Sequence, residues 1–115
     1  MARVGAASKV TSQGEVLLFT YSDRNPGDYF AFDVDSKQAR HVISRRDWLD
    51  PMALGETRPF DFTARDGRKL QGFLTFPPGS AGRNLPMVVN PHGGPFGVSD
   101  AWSFGSERQM LAAHG

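Results

Sequence analysis

Three short stretches rich in apolar residues come first along the chain, and turn-rich polar segments separate them. These stretches are residues 15–21 (EVLLFTY), 28–34 (DYFAFDV) and 39–44 (ARHVIS), and they are joined by the turn-rich segments SDRNPGD and DSKQ. Within the second stretch, Phe30, Phe32 and Val34 alternate with the residues between them, which is the period of a half-buried strand. Short strands at this spacing predict an antiparallel meander. Three strands cannot bury both faces of a sheet, so this unit requires neighbours.

The next pattern predicts a β-hairpin over residues 58–76, RPFDFTARDGRKLQGFLTF. Apolar and polar residues alternate up to Ala64, and Asp66-Gly67 is the dipeptide that a two-residue type I′ turn prefers, with a positive φ at both positions. Residues 45–57 read as a connector, and residues 77–84 as a loop. Residues 85–90 (LPMVVN) have no polar alternation and predict a short buried strand.

The end of the chain predicts one helix, ERQMLAAH. Ser106 followed three residues later by Gln109 is a capping box, in which each side chain satisfies a backbone N–H of the first turn. Met110 and Leu111 would form its apolar side, and Gly115 is suited to the C′ position. The expected fold is therefore mainly β with one C-terminal helix.

Composition and charge narrow the function classes. The 115 residues are 39% hydrophobic, 22% charged and 11% aromatic, which argues against disorder. The net charge is +1, and the densest basic cluster (Arg40, Arg45, Arg46) is too sparse for a nucleic-acid surface. The absence of cysteine excludes disulfides and thiol chemistry. No stretch approaches the roughly 18 apolar residues of a membrane span, and the first residues lack the apolar core of a signal peptide. We expect no cofactor, no metal, no nucleic acid and no membrane partner, and the compartment stays open.

The segment PHGGP, residues 91–95, carries the clearest candidate chemistry. Gly93 and Gly94 lack a Cβ that would block an approaching ligand, and their N–H groups can point outward at one spot. Pro91 and Pro95 restrict the backbone on either side. Outward amides on a stiff loop after a strand are what a developing oxyanion needs, and an HGGG-type loop supplies one such donor in α/β-hydrolases. A tight turn rich in Gly and Pro is the alternative interpretation.

The chain resembles the prolyl oligopeptidase family of serine peptidases, in particular its acylaminoacyl-peptidase and dipeptidyl-peptidase-like bacterial branch. The likeness covers most of the chain and is carried by YSDRNPGDYFAFD, RRDWLDP, RPFDFTARDGRKLQGFLTFPPG, LPMVVNPHGGPFG and WSFGSERQMLAAHG. It implies that residues 1–57 are the last strands of a β-propeller with a connector. Residues 58–115 would be the first part of an α/β-hydrolase domain.

The resemblance also implies site roles. Gly93 or Gly94 would donate a backbone N–H to the tetrahedral intermediate, while His92 and Pro95 would shape the loop. Trp102 and Phe104 would pack against the loop and the first helix. Asp100 would be a solvated or capping carboxylate. His41 and His114 are assigned no role.

The chain departs from the family pattern because it has no G-x-S-x-G elbow; GVSDA, residues 97–101, lacks the final glycine. In the family the nucleophile, Asp and His all follow the oxyanion loop, so the triad would lie after residue 115. We therefore expect a truncated serine peptidase whose parent cleaves peptides, while the chain itself is inactive and self-associates through exposed strand edges. A stand-alone β module for binding or structure, and a piece of an esterase of the α/β-hydrolase type, are the alternatives.

Overall fold

The computed structural model describes residues 3–5 and 14–115. Its elements are β1 (Arg3–Gly5), β2 (Glu15–Tyr21), β3 (Asp28–Asp33), β4 (Ala39–Ser44), a 3-10 helix (Pro51–Ala53), β5 (Thr57–Thr63), β6 (Lys69–Thr75) and α1 (Ser106–Ala113). The described residues are thus mainly β, in two antiparallel sheets, with one C-terminal helix. This confirms the coarse fold class.

The first sheet is an antiparallel meander in the order β1-β2-β3-β4. The three strands predicted from the apolar stretches and the turns between them are present, and β3 ends one residue earlier than expected. The sequence analysis missed β1, which pairs with β2 in the register Arg3 to Tyr21. A register shift between Tyr29 and Phe30 interrupts the pairing of β3 with β4. The positions of these strands match the prediction, but the burial within them does not alternate. Along β3 the buried residue is Ala31, between Phe30 and Phe32, and β4 is exposed up to Ile43.

The second sheet is the β5–β6 hairpin, with Thr57 opposite Thr75 and Thr63 opposite Lys69. The predicted type I′ turn is wrong. Ala64 N–H donates to Arg68 O at 2.8 Å, Gly67 N–H donates to Ala64 O at 2.9 Å, and only Gly67 in the turn has a positive φ, +84°. This is a three-residue loop with a type I turn followed by a left-handed glycine, which needs one positive φ where type I′ needs two.

The predicted buried strand at residues 85–90 is also wrong. The segment forms no strand, and every residue in it is exposed; Met87 and Val89 keep 74% and 73% of their surface in solvent. A β-strand without a neighbour leaves its backbone N–H and C=O groups unpaired. Among the described residues, none pairs with this segment, so its β-prone sequence has no ladder to join.

The helix is present, but its cap and buried side differ from the prediction. Gly105 is the N-cap residue and supplies no side-chain acceptor, while Ser106 is already helical and its hydroxyl accepts from Arg46. Met110 and Leu111 are exposed, whereas Gln109 and Ala112 are buried. The capping box fails because the helix begins one residue early, at Ser106, and because the Gln109 side chain bonds Gly55 and Asp23 instead of the helix N-terminus. Gly115, at C′, has the expected positive φ of +96°.

The best-buried groups of the described chain are polar, and they connect the first sheet, the hairpin and the helix. We call Asp23, Gly55, Thr57 and Gln109 the Gln109 junction. Gln109 Oε1 accepts from Gly55 N–H at 2.7 Å, and Nε2 donates to Gly55 O at 2.9 Å and to Asp23 O at 3.1 Å. Asp23 Oδ2 accepts from Thr57 N–H at 2.7 Å. A Cβ on Gly55 would lie 2.3 Å from Phe76 O, so only glycine fits there.

Apolar burial contributes little beside this junction. Among the described residues the buried apolar side chains are Ala31 and Ala112, and none of the large ones is fully buried. The radius of gyration is 17.8 Å, whereas a compact domain of this length would have about 13 Å. The described fold therefore depends on directed hydrogen bonds to hold its parts together.

Replacing Gln109 tests this dependence. Gln109→Ala would leave three buried backbone groups without a partner, and we expect a loss of about 2–4 kcal/mol in the free energy of unfolding. Met110→Ala is the matched control on the same helix, because Met110 is exposed, and it should cost less than about 0.5 kcal/mol. Urea unfolding followed by circular dichroism measures both. Equal losses for the two variants would contradict the structural role of Gln109.

Candidate functional site

The glycine pair lies on a long exposed loop between the hairpin and the helix. All residues from 81 to 101 are exposed, and Phe96 keeps 91% of its surface in solvent. The loop is held at its two ends, by β6 on one side and by Trp102 on the other. Trp102 Nε1–H donates to Thr57 O at 2.9 Å, which anchors the end of the loop at the start of β5.

The amides of Gly93 and Gly94 are not used inside the described fold. Within residues 14–115, neither N–H donates a hydrogen bond to the backbone. A Cβ built on either glycine would meet no atom within 4 Å, and neither residue has a positive φ. Both amides are therefore open to an external acceptor.

His92 contacts the backbone of this loop. Its Nδ1 lies 2.7 Å from the carbonyl oxygen of Gly93, at a distance where an N–H there donates a hydrogen bond. This contact turns the Gly93 carbonyl toward the imidazole. The carboxylates of the described chain do not pair with His92, so it lacks the carboxylate partner that orients a general base. Pro95 follows Gly94 through a cis peptide bond.

The aromatic pair after the loop contacts the start of β5 and the connector. Trp102 contacts the start of β5 through its indole N–H, as described above. Phe104 lies against the Arg46 guanidinium, whose central carbon is 5.4 Å from the ring centroid. These side chains tie the loop exit to the hairpin and to the connector. Asp100 is exposed, and His114 Nδ1 lies 2.8 Å from Met110 O.

A Ser, a His and an Asp meet at the end of the β3–β4 pair, which sequence reasoning missed. Ser44 Oγ donates to Asp28 Oδ1. His41 Nε2 lies 3.0 Å from Ser44 Oγ and 3.6 Å from Asp28 Oδ1. The register that places Asp28 opposite Ser44 brings them together, so a correct strand alignment would have found the cluster.

This cluster is not a catalytic triad, because its hydrogen bonds run in the wrong order. In a triad the serine hydroxyl donates to one imidazole nitrogen while the carboxylate holds the other. Here the serine proton goes to the carboxylate, and a single nitrogen of His41 faces both partners. The arrangement ties the strand ends together and does not activate the serine.

The same contacts lower the pKa of Asp28. Partial burial raises the pKa, but hydrogen bonds from Ser44 and Asn25, together with His41, outweigh it and bring the pKa below the ordinary value of 3.8. The ionised carboxylate is thus the form that the native contacts favour.

Two of the surface clefts in the described part of the chain are lined by charged and aromatic side chains, and neither of these two includes the glycine pair. One, of about 500 Å³, lies between the connector and the loop after β6. The other, of about 470 Å³, lies between β2, residues 45–46 and the start of α1. Within residues 14–115, no three His, Cys, Asp or Glu side chains are close enough together to hold a metal ion. The longest helix of this region, α1 with 8 residues, is too short to cross a membrane.

Comparisons of the chain with models of protein families, with curated proteins and with solved structures gave no significant match.

The glycine loop predicts a contrast between two Gly→Ala variants. Gly93→Ala should leave the free energy of unfolding unchanged or raise it by up to about 1 kcal/mol, because the site is open and its φ suits alanine. Gly55→Ala should destabilise the chain strongly, because its Cβ would collide with Phe76 O. Chemical denaturation measures both. A large loss for Gly93→Ala would mean that the loop is packed and its amides are not open.

The lowered pKa of Asp28 predicts a pH dependence. Its contribution to stability is present above the ordinary pKa and is lost as pH falls through the lower native pKa. Asp28→Asn should therefore be less stable than the wild type near neutral pH, with the gap closing in acid below about pH 4. Urea midpoints at several pH values check this. A gap that is constant with pH would exclude the charge of Asp28 as its cause.

Proposed function

We propose that this chain supplies the oxyanion loop and the adjoining strands of a serine peptidase of the prolyl oligopeptidase type. The observation that carries the proposal is that the amides of Gly93 and Gly94 are unengaged, on an exposed loop that follows a hairpin. In this role one of the two amides donates to the oxygen of the scissile carbonyl as a nucleophilic serine adds to its carbon. The hydrogen bond strengthens as negative charge develops on that oxygen.

The domain assignment is part of the same proposal. Residues 1–57 contribute the last strands of a β-propeller, and residues 58–115 begin an α/β-hydrolase domain. The antiparallel meander of the first sheet and the separate hairpin support this division. Residues 85–90 then become a strand when neighbouring strands of the hydrolase sheet pair with them, which accounts for a β-prone segment that stays exposed here.

Catalysis in this proposal needs a serine, a base and a carboxylate that orients the base. The described residues do not form such a triad. The cluster of Ser44, His41 and Asp28 has the wrong proton order, as shown above. The substrate is a peptide, and the triad that cleaves it comes from outside this chain. By itself the chain is inactive.

Self-association is the proposed behaviour of the isolated chain. Large apolar side chains remain exposed on β4 (Val42, Ile43) and on the segment with Met87 and Val89. The outer edge of β4 and both edges of the hairpin lie beside no other strand within the described residues. Edges of this kind pair readily with other chains.

The stand-alone β module is the alternative from a different functional class. It requires a monodisperse chain whose backbone amides exchange slowly with solvent. Exposed strand edges and the scarcity of buried apolar side chains disfavour it. An esterase piece is disfavoured by the meander that precedes the hairpin, since that fold is not expected to carry a propeller there.

A fluorophosphonate probe tests the peptidase proposal. The 115-residue chain should not be labelled, whereas the product of the gene's entire reading frame should be labelled at a serine that follows residue 115. The matched control is Ser44→Ala, which should change neither result, because the Ser44 proton is committed to Asp28. Labelling of the 115-residue chain, or a reading frame without a reactive serine, would refute the proposal.

The oxyanion role can be tested separately in the labelled enzyme. Gly93→Pro and Gly94→Pro each remove one N–H, and we expect one of them to lower kcat by about 10²–10³ with little change in KM. Gly93→Ala and Gly94→Ala keep the N–H and add a Cβ, so they are the matched controls that measure the steric effect alone. A kcat that falls equally in Gly93→Ala and in the proline variants would point to loop shape and away from the amide.

A further inference from the structure

The second cleft, of about 470 Å³, combines cationic and aromatic side chains. Its cations are Arg45 and Arg46, its rings are Phe19, Tyr21 and Phe104, and Ser106 adds a hydroxyl. No carboxylate is among the residues that line it. The charge of this cleft is therefore positive and unbalanced.

The two arginines are neighbours in sequence and yet line the same cleft. In an extended strand, consecutive side chains point to opposite faces, but these two lie in the turn that follows β4. Within the described residues neither forms an ion pair. Like charges brought to one place without a counter-charge repel each other, so an anion in the cleft would relieve the repulsion.

One of the arginines is already oriented. Arg46 donates to Ser106 Oγ at 2.7 Å and lies over the Phe104 ring. These two contacts fix its guanidinium at the rim of the cleft and leave its other N–H groups for a ligand. Arg45 is held by its backbone N–H, which donates to Gly27 O at 2.8 Å, and within the described residues its guanidinium forms no ion pair.

The rings of the cleft form a stacked group on the first sheet. Phe19 and Tyr21 lie on one face of β2, with ring centroids 5.7 Å apart and planes 22° apart. Tyr29 extends the group, with its centroid 4.7 Å from that of Phe19. A near-parallel pair of rings presents a surface on which a planar ligand can pack.

We propose that this cleft binds a small planar aromatic compound carrying an oxyanion, either a carboxylate or a phosphate. The guanidinium groups of Arg45 and Arg46 bind the oxyanion by charge-assisted hydrogen bonds. The ring of the ligand packs against Tyr21 and its neighbours. The site uses none of the residues of the oxyanion loop, so a negative result for one proposal leaves the other unaffected.

Amide chemical shifts of the full chain, followed by NMR during titration, test the proposal with four probes. Phenyl phosphate and benzoate carry both features, inorganic phosphate carries the charge alone, and benzyl alcohol carries the ring alone. We expect saturable binding of an aromatic anion with a Kd near 1 mM, as for a small fragment. Shifts should centre on residues 19, 21 and 103–106. If phenyl phosphate has the lower Kd, the oxyanion is a phosphate; if benzoate has the lower Kd, it is a carboxylate.

Arg45→Gln should weaken this binding about fivefold to tenfold. The matched control is Arg65→Gln, which makes the same charge change in the exposed hairpin turn, and it should leave the Kd unchanged. If both variants weaken the binding equally, the effect comes from the net charge of the chain and not from this cleft, and the proposal is overturned. Inorganic phosphate or benzyl alcohol binding as tightly as the aromatic anions would overturn it too, as would no saturation by about 10 mM. The Kd values of the four probes for the wild-type chain test the proposal even where a variant fails to fold.

Discussion

The carboxamide of Gln109 is the contact on which the arrangement of this chain depends. It accepts from the N–H of Gly55 and donates to the C=O of the same residue, so it pairs with the connector as a neighbouring strand would. Its second donated bond reaches Asp23, in the turn after β2. One side chain of the helix thus joins the first sheet to the start of the hairpin. Hydrogen bonds have directions, so this junction defines a geometry that the few buried alanines could not impose.

The junction also explains why the candidate site is open. The junction holds the start of β5, and Trp102 donates a hydrogen bond to the same place, Thr57 O. Both Trp102 and Gln109 follow the long exposed loop in the sequence. The loop therefore has firm ends and an exposed middle, which is where Gly93 and Gly94 lie. Free amides on a segment anchored at both ends are available to a ligand, and this is the physical basis for proposing an oxyanion role.

At the second cleft Arg46 connects two separate segments of the chain, as Gln109 does at the junction. Arg46 connects the turn after β4 to the first turn of α1 by bonding Ser106 and covering Phe104. The positive charge that this contact brings to the cleft has no acidic neighbour among the lining residues. A contact that organises the fold thereby also creates a surface suited to an anion. The two proposed sites use separate residues and separate chemistry.

The sequence by itself determined the elements whose signals are local. The strands of the meander and the hairpin were predictable because short apolar runs are separated by residues that favour turns. The helix at residues 106–113 was predictable in position, although its cap and its buried side were not. The glycine pair could be singled out because its backbone freedom is a property of the residues themselves.

Tertiary structure decided what depends on partners far away in the chain. Residues 85–90 have the composition of a strand but stay exposed, since a strand exists only when another lies beside it. Ser106 does not cap the helix, because α1 begins at Ser106 and its N-cap is Gly105. Gln109 is buried in place of Met110 because its hydrogen-bond partners lie 54 and 86 residues away. The grouping of Ser44, His41 and Asp28 required the strand register. Periodicity describes one segment, whereas pairing and burial are properties of two segments that meet in space.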